Sequence, residues 1–324
     1  MSKLGPLQQR WYEDRPPPWW ARPLAALYGC ASGSRRWMYR SGWLRATRLP
    51  VPVIVVGNIV AGGAGKTPLT IALMEALRGR GFRPGVVSRG YGGSAHEPML
   101  LDEQPDTAVV GDEPALIRLH TGSPVAIAAQ RVDAARLLLG EGVDVIVADD
   151  GLQHYALARD VEICVVDGLR RFGNGRLLPA GPLREPISRL RTVDFTVCNG
   201  REPQANEIPM RLRMQAVRNL AHGSARALAG FAGSRVHAVA GIGNPGRFFS
   251  ALREQGIDVI EHPFADHHRY TAPDFAFGDD LPVLMTEKDA IKCRAFAREN
   301  WWAIPVKAEL PSAWFDAVAA RLRA

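Results

Sequence analysis

One segment constrains this chain more than any other: an apolar strand, a glycine-rich turn and an amphipathic helix in immediate succession. Val51-Pro52-Val53-Ile54-Val55-Val56 is apolar and largely β-branched, and it ends at Gly57. The turn reads Asn58-Ile59-Val60-Ala61-Gly62-Gly63-Ala64-Gly65-Lys66-Thr67-Pro68. Beyond it Leu69, Ala72, Leu73, Ala76 and Leu77 recur at helical spacing, and Gly79 and Gly81 close the helix. In such a turn main-chain N–H groups converge on a phosphate chain, and the helix N-terminus adds partial positive charge. Lys66 is then expected at the β- and γ-phosphates of a nucleotide and the Thr67 hydroxyl at Mg²⁺. Val60 stands where the common form of the motif has its first glycine, and Gly62 and Gly63 supply the backbone freedom instead.

The rest of the chain alternates in the same way. Short apolar runs at 85–87, 125–128, 143–148, 161–166 and 193–197 suit a sheet covered on both faces. Ala134, Ala135, Leu137, Leu138 and Leu139 precede Gly140 as a further helix. This predicts an α/β fold, a P-loop NTPase-like, doubly wound, mostly parallel sheet with ligands at the carboxyl ends of its strands. From Val236 a smaller α/β unit is expected, with strands at 236–240, 259–260, 282–285 and 301–306 and helices near 247–255 and 289–298. The expected layout is an arm over 1–48, a kinase core over 49–228 and the C-terminal unit over 229–324.

Charge separates the arm from the body. Residues 1–50 hold nine Lys/Arg, Lys3 among them, and two acids, Glu13 and Asp14; the remaining residues hold 31 of each sign. The whole net charge of +7 therefore sits in the arm, and a neutral body argues against nucleic acid as a partner. Five of the eight Trp also lie there: Trp11, Trp19, Trp20, Trp37 and Trp43. No apolar run is long enough to span a bilayer, and 24–28 is too short for a secretory signal. Interleaved Trp and Arg around Leu24, Leu27, Tyr28 and Ala31 fit a helix lying on a membrane surface. A helix packed on the body with a solvated basic side would carry the same pattern. Cys30, Cys164, Cys198 and Cys293 form no C-x-x-C pair, which suits a reducing compartment.

Four further segments carry chemistry. An apolar strand ends in Asp149-Asp150-Gly151-Leu152-Gln153-His154, and adjacent carboxylates at such an end suit Mg²⁺ or a positioned water. Gly111-Asp112-Glu113-Pro114 opens a helix, where Asp112 also fits a plain capping function. Asp266-His267-His268 lies in the smaller unit, and a histidine there could tune a carboxylate across a cleft. The span 168–192 is irregular and basic, with Arg170, Arg171, Arg176, Arg184 and Arg189. Ser88-Arg89-Gly90-Tyr91-Gly92-Gly93 and Thr286-Glu287-Lys288-Asp289 follow two other strands and suit cleft loops.

In this order the motifs closely resemble the lipid A 4′-kinase (tetraacyldisaccharide 4′-kinase) family over nearly the full chain. The resemblance rests on Val56-Gly57-Asn58 with Gly62 to Pro68, Ser88 to Gly92, Gly111 to Pro114 and Asp149 to His154. It continues through Arg171-Phe172-Gly173-Asn174-Gly175-Arg176, Leu177 to Glu185, Ala265-Asp266-His267 and Thr286 to Ala290. It implies ATP- and Mg²⁺-dependent phosphorylation of the 4′-hydroxyl of an acylated glucosamine disaccharide 1-phosphate. It also implies peripheral attachment to the cytoplasmic face of a bacterial inner membrane. By the same resemblance Asn58, Gly62, Gly63, Ala64, Gly65, Lys66, Thr67 and Pro68 bind the nucleotide, and Thr67, Asp149 and Asp150 the metal. Asp112, with His267 as partner, takes the proton of the sugar hydroxyl, assisted by Lys66 and Asp150. Arg89, Arg131, His154, Asn174, Arg176 and Arg184 face the glycolipid. A P-loop kinase or ligase for a soluble metabolite, or a nucleotide-dependent switch, are the competing readings.

Overall fold

The structure, a computed structural model, describes residues 6–13, 15–200 and 203–323. Lys3 and Asp14 of the arm lie outside them. In chain order the strands are β1 (Val53–Gly57), β2 (Pro84–Ser88), β3 (Met99–Leu100), β4 (Val125–Ile127), β5 (Val145–Asp149), β6 (Val161–Asp167), β7 (Phe195–Asn199) and β8 (Glu207–Met214). They continue as β9 (Val217–Asn219), β10 (Ala225–Arg226), β11 (Arg235–Ala240), β12 (Asp258–Pro263), β13 (Val283–Thr286), β14 (Trp301–Ile304) and β15 (Val306–Glu309). The α-helices are α1 (Pro6–Tyr12), α2 (Ala21–Arg40), α3 (Lys66–Arg78), α4 (Thr107–Val110), α5 (Asp112–Thr121), α6 (Arg131–Gly140), α7 (Pro245–Glu254), α8 (Glu287–Cys293) and α9 (Ser312–Arg323).

The larger sheet runs β15-β8-β7-β6-β1-β5-β2-β4-β3. Its seven inner strands are parallel, and β15 and β3 close the edges antiparallel. Every residue of β1 is buried. Ile54 and Val56 pack on the α3 side with Leu69, Leu73 and Leu77, whereas Val53 and Val55 pack on the α6 side with Val132, Ala135 and Leu138. Covering both faces is why the strand is apolar throughout rather than alternating. The chain leaves β1 through α3 toward β2 on one side, and crosses from β5 to β6 on the other. This reversal opens a crevice at the carboxyl ends of β1 and β5. The register sets Val56 beside Asp149, so the glycine-rich turn and the acidic strand end share that crevice.

The smaller sheet runs β10-β9-β14-β13-β11-β12, and β9 alone runs against the others, antiparallel to both β14 and β10. Its limits differ from the expected division at 228/229. The chain enters this sheet already at β9 and leaves it after β14. β15 then pairs with β8, and α9 buries Trp314 and Val318 in the larger core. An Arg80–Asp316 ion pair at 2.6 Å pins α9 beside α3. The smaller unit is thus an excursion between β8 and β15. Alternation alone gave no sign of the return, because a last strand and helix look alike in either unit.

The arm divides its aromatic residues. Trp11 of α1 is buried and donates its Nε1–H to the Pro179 carbonyl at 3.1 Å, so it belongs to the body and not to a lipid-facing stripe. On α2, Ala21 is buried and Tyr28 half-buried; Tyr28 donates to the Arg184 carbonyl at 3.1 Å, and the exposed Arg35 reaches the Gln153 carbonyl at 3.5 Å. Tyr28 therefore leaves the expected apolar stripe. Trp19, Trp20, Leu24, Leu27, Trp37 and Trp43 remain exposed, Trp19 at 83% and Trp43 at 76%. Among the described residues no helix is long and apolar enough to cross a membrane.

Candidate active site

The turn after β1 is held open by its own polar side chains. Asn58 is fully buried; it donates to the Gly62 carbonyl at 3.1 Å, and its own carbonyl accepts from the Gln153 side chain at 3.0 Å. Its side chain thus helps to shape the loop, with Oδ1 turned to Lys66. Gly65 caps α3 at φ 97°, and a Cβ there would run into the Asn199 side chain. Thr67 and Pro68 form the first turn of α3. Lys66 turns inward, 3.5 Å from Asp150 Oδ1 and 3.5 Å from Asn58 Oδ1.

Asp149 and Asp150 differ sharply. Asp149 is fully buried; Oδ1 accepts from the Thr70 hydroxyl at 3.1 Å, while Oδ2 has no hydrogen-bond partner among the described residues. Burial, with the nearby charges of Glu113 and Asp150, pushes its carboxyl up to about 7. Asp150 is more open and takes an unusual backbone φ of 47°. Burial raises its pKa too, but Lys66 and Arg184 outweigh it and bring the carboxyl down to about 2. The Arg184 guanidinium lies 3.1 Å from its Oδ2.

A second arrangement joins the two units. Asp112 is the first residue of α5 and 4% exposed. Gly111 before it, at φ 87°, admits no side chain: a Cβ would lie 2.5 Å from the Tyr91 carbonyl oxygen. His267, itself at φ 61°, reaches across from the smaller unit and sets its Nδ1 3.0 Å and 3.1 Å from the two Asp112 oxygens. Burial works against both charges. The mutual hydrogen bond, with Lys288 and Lys292 beside Asp112, still leaves the Asp112 carboxyl below and the His267 imidazole above its ordinary range. Tyr91 meets the His267 ring edge-on at 4.9 Å. A cavity of about 160 Å³ opens beside the pair.

The residues expected at the glycolipid fall into two groups. Arg131 is buried at the start of α6, with Nη2 3.4 Å from the Asp150 carbonyl and Nε without a hydrogen-bond partner among the described residues. His154 is pushed down to about 4 by burial and by Arg131, Arg159, Arg35 and Arg89, so it is a neutral imidazole among guanidinium groups. Arg89, Arg131, His154 and Arg184 thus come together around the crevice. Asn174 and Arg176 do not join them. The Asn174 amide donates to the Ala180 carbonyl at 2.9 Å and shapes its own loop, and Arg176 is exposed.

Several neighbours escaped the sequence reading. Thr70 on Asp149 was legible only as a polar residue inside an apolar helical stripe. Arg35 was counted with the surface charge of the arm. Lys288 and Lys292 were legible as an i, i+4 pair, but not as neighbours of Asp112.

The family model described as tetraacyldisaccharide-1-P 4′-kinase (LpxK) matches residues 18–323. The chain belongs to that family. Its activity is that of the family, a tetraacyldisaccharide 4′-kinase of lipid A biosynthesis. A tetraacyldisaccharide 4′-kinase of Stenotrophomonas maltophilia (strain R551-3) is 54% identical over 322 residues, 96% of this chain and 95% of that one. One from Xanthomonas euvesicatoria pv. vesicatoria (strain 85-10) is 53% identical over 336 residues, 99% of this chain and 97% of its own. The crystal structure of LpxK from Aquifex aeolicus in complex with ATP superposes with a TM-score of 0.77 at 28% identity, covering 93% of this chain and 98% of that one.

Proposed function

We propose that this kinase binds ATP with Mg²⁺ on the turn after β1 and passes the γ-phosphoryl group to the 4′-hydroxyl of a tetraacylated glucosamine disaccharide 1-phosphate. The product is the lipid IV-A intermediate. The observation that carries the reading is the buried Asp112–His267 pair, built from two units, with Glu113 beside it close enough to the buried Asp149 for its charge to act there.

Lys66 and the N–H groups of Gly63 to Thr67 suit the β- and γ-phosphates. The unpartnered, buried oxygen of Asp149 fits a divalent cation, because a cation would relieve the crowding of Asp149, Asp150 and Glu113. Thr67, Asp149 and Asp150 would hold it, and when bound it supplies charge neutralisation on the transferring phosphate. Asp112 accepts the proton of the 4′-hydroxyl, and His267 steadies the carboxylate as it does so. Phosphoryl transfer needs mainly alignment and charge stabilisation, which Lys66, Arg131 and Arg184 are placed to give. The Arg89, Arg131 and His154 group, rich in cations, suits an anionic headgroup. Incubation with γ-labelled ATP tests the reading. Label is expected at the 4′-position of the glycolipid; label only in inorganic phosphate, or equally in a soluble sugar, would contradict it.

The acceptor's acyl chains favour attachment to the cytoplasmic face of the inner membrane through the exposed side of α2. The intact protein is expected to sediment with vesicles of acidic lipid at low salt and to be released by added salt. Replacing Trp19, Leu24 and Leu27 with serine is expected to abolish sedimentation while the soluble fold persists. Unchanged sedimentation of that variant would remove this face of α2 from membrane attachment.

A further inference from the structure

Two lysines of α8 converge on Asp112, and phosphoryl transfer as described gives them no task. Lys288 Nζ lies 3.8 Å from Asp112 Oδ2, 3.1 Å from Glu113 Oε1 and 3.4 Å from Asp266 Oδ1. Lys292 Nζ lies 3.8 Å from the same Asp112 oxygen and 3.0 Å from Asp289 Oδ1, over the Tyr270 ring. The two side chains are only 16% and 10% exposed. Four residues apart, they stand on one helical face. Buried ammonium groups are costly unless paired, so their convergence on one carboxylate oxygen calls for a reason.

The other Asp112 oxygen is engaged as well. Oδ1 accepts from the Glu113 main-chain N–H at 3.0 Å and faces His267 Nδ1. Lys292 is anchored in turn: its partner Asp289 is fully buried and accepts from the Gly241 N–H at 2.9 Å and from the Thr286 hydroxyl. The charged groups that face Asp112 are therefore Glu113 from α5, Lys288, Lys292 and Asp289 from α8, and Asp266 and His267 from the loop after β12. His120 and Glu287, 2.7 Å apart, extend the same seam between α5 and α8. Asp112 belongs to the larger unit and both lysines to the smaller one.

We propose that Lys288 and Lys292 are positioning residues for proton removal: they hold the Asp112 carboxylate ionised and aimed, and so make the docking of the smaller unit a condition for an active base. The inference rests on the reading of Asp112 as base. Lys288 acts on both members of the pair, lowering the Asp112 and the His267 pKa alike. Removing it raises both, so an acid limb set by loss of a proton from either member moves to higher pH.

The test is kcat/KM against pH for the full-length enzyme and its variants. Lys288→Gln is expected to move the acid limb up by about one pH unit, which is about tenfold in rate below the limb, with recovery toward the parent rate above it. Lys292→Met is expected to move it the same way, and Lys292→Arg to restore the parent profile. A loss equal at every pH, or an unmoved limb, overturns the proposal. Should Lys292→Met not fold, the more exposed Lys288→Gln decides alone. Asp112→Asn separates the two levels. Parent-like turnover in that variant removes the base itself. Loss of turnover there, with an unmoved limb in the lysine variants, removes only the lysines.

Discussion

Asp112→Asn is expected to lower turnover by at least about a hundredfold, the lower range for a positioned general base. The change keeps the shape of the side chain and removes its capacity to take a proton. The Glu113 N–H and His267 keep an oxygen to bond, so the start of α5 has no reason to move. Lys288 and Lys292 keep Glu113, Asp266 and Asp289 as partners, so no ammonium group is left unpaired. ATP affinity is expected to stay near that of the parent, because the turn after β1 is untouched. Steady-state kinetics with both substrates varied checks this. A fall in kcat with kcat/KM falling equally marks a contribution made only in the transition state. A rise in KM alone would place Asp112 in acceptor binding instead.

Lys66→Ala is expected to cost about a hundred- to a thousandfold in turnover, as for other preorganised groups that stabilise developing charge. Here the loss has a second source. Lys66 is 9% exposed and faces Asp150, and its charge also lowers Asp149. Without it both carboxylates titrate higher, and the acidic strand end is less ready to hold a cation. The variant is therefore expected to bind ATP weakly and to need a higher Mg²⁺ concentration for its residual rate. Titrating Mg²⁺ against the rate of each protein measures this. An unchanged Mg²⁺ requirement would limit Lys66 to the phosphates alone.

The larger fold was legible because local signals agreed. The β1 run is apolar on both faces and the α3 stripe has one apolar side, so strand, turn and helix could be placed without tertiary information. The crevice followed from the alternation rule, since Asp149 and the glycine-rich turn had to share the carboxyl edge. What the sequence hid is tertiary. Nothing local tells that β15 and α9 return to the larger sheet, because their apolar positions would fit either core. The Asp112–His267 contact spans 155 residues, and the residues alone left Asp112 open to a capping function. Resemblance to the family joined the two before the structure did. Trp11 and Tyr28 carried the composition of a membrane-facing arm, yet both face the body, since composition does not say which side of a short helix is covered. At Asn58 and Asn174 the residue type did not tell that the amide also bonds within its own loop.

The account stands on a triphosphate held at the start of α3. Calorimetric titration of ATP into the folded protein in the presence of Mg²⁺ tests this most directly, with Lys66→Ala as the paired sample. The account predicts saturable binding at one site per chain that weakens at least about tenfold in the variant. No binding to the folded parent, or equal binding to both proteins, would contradict it.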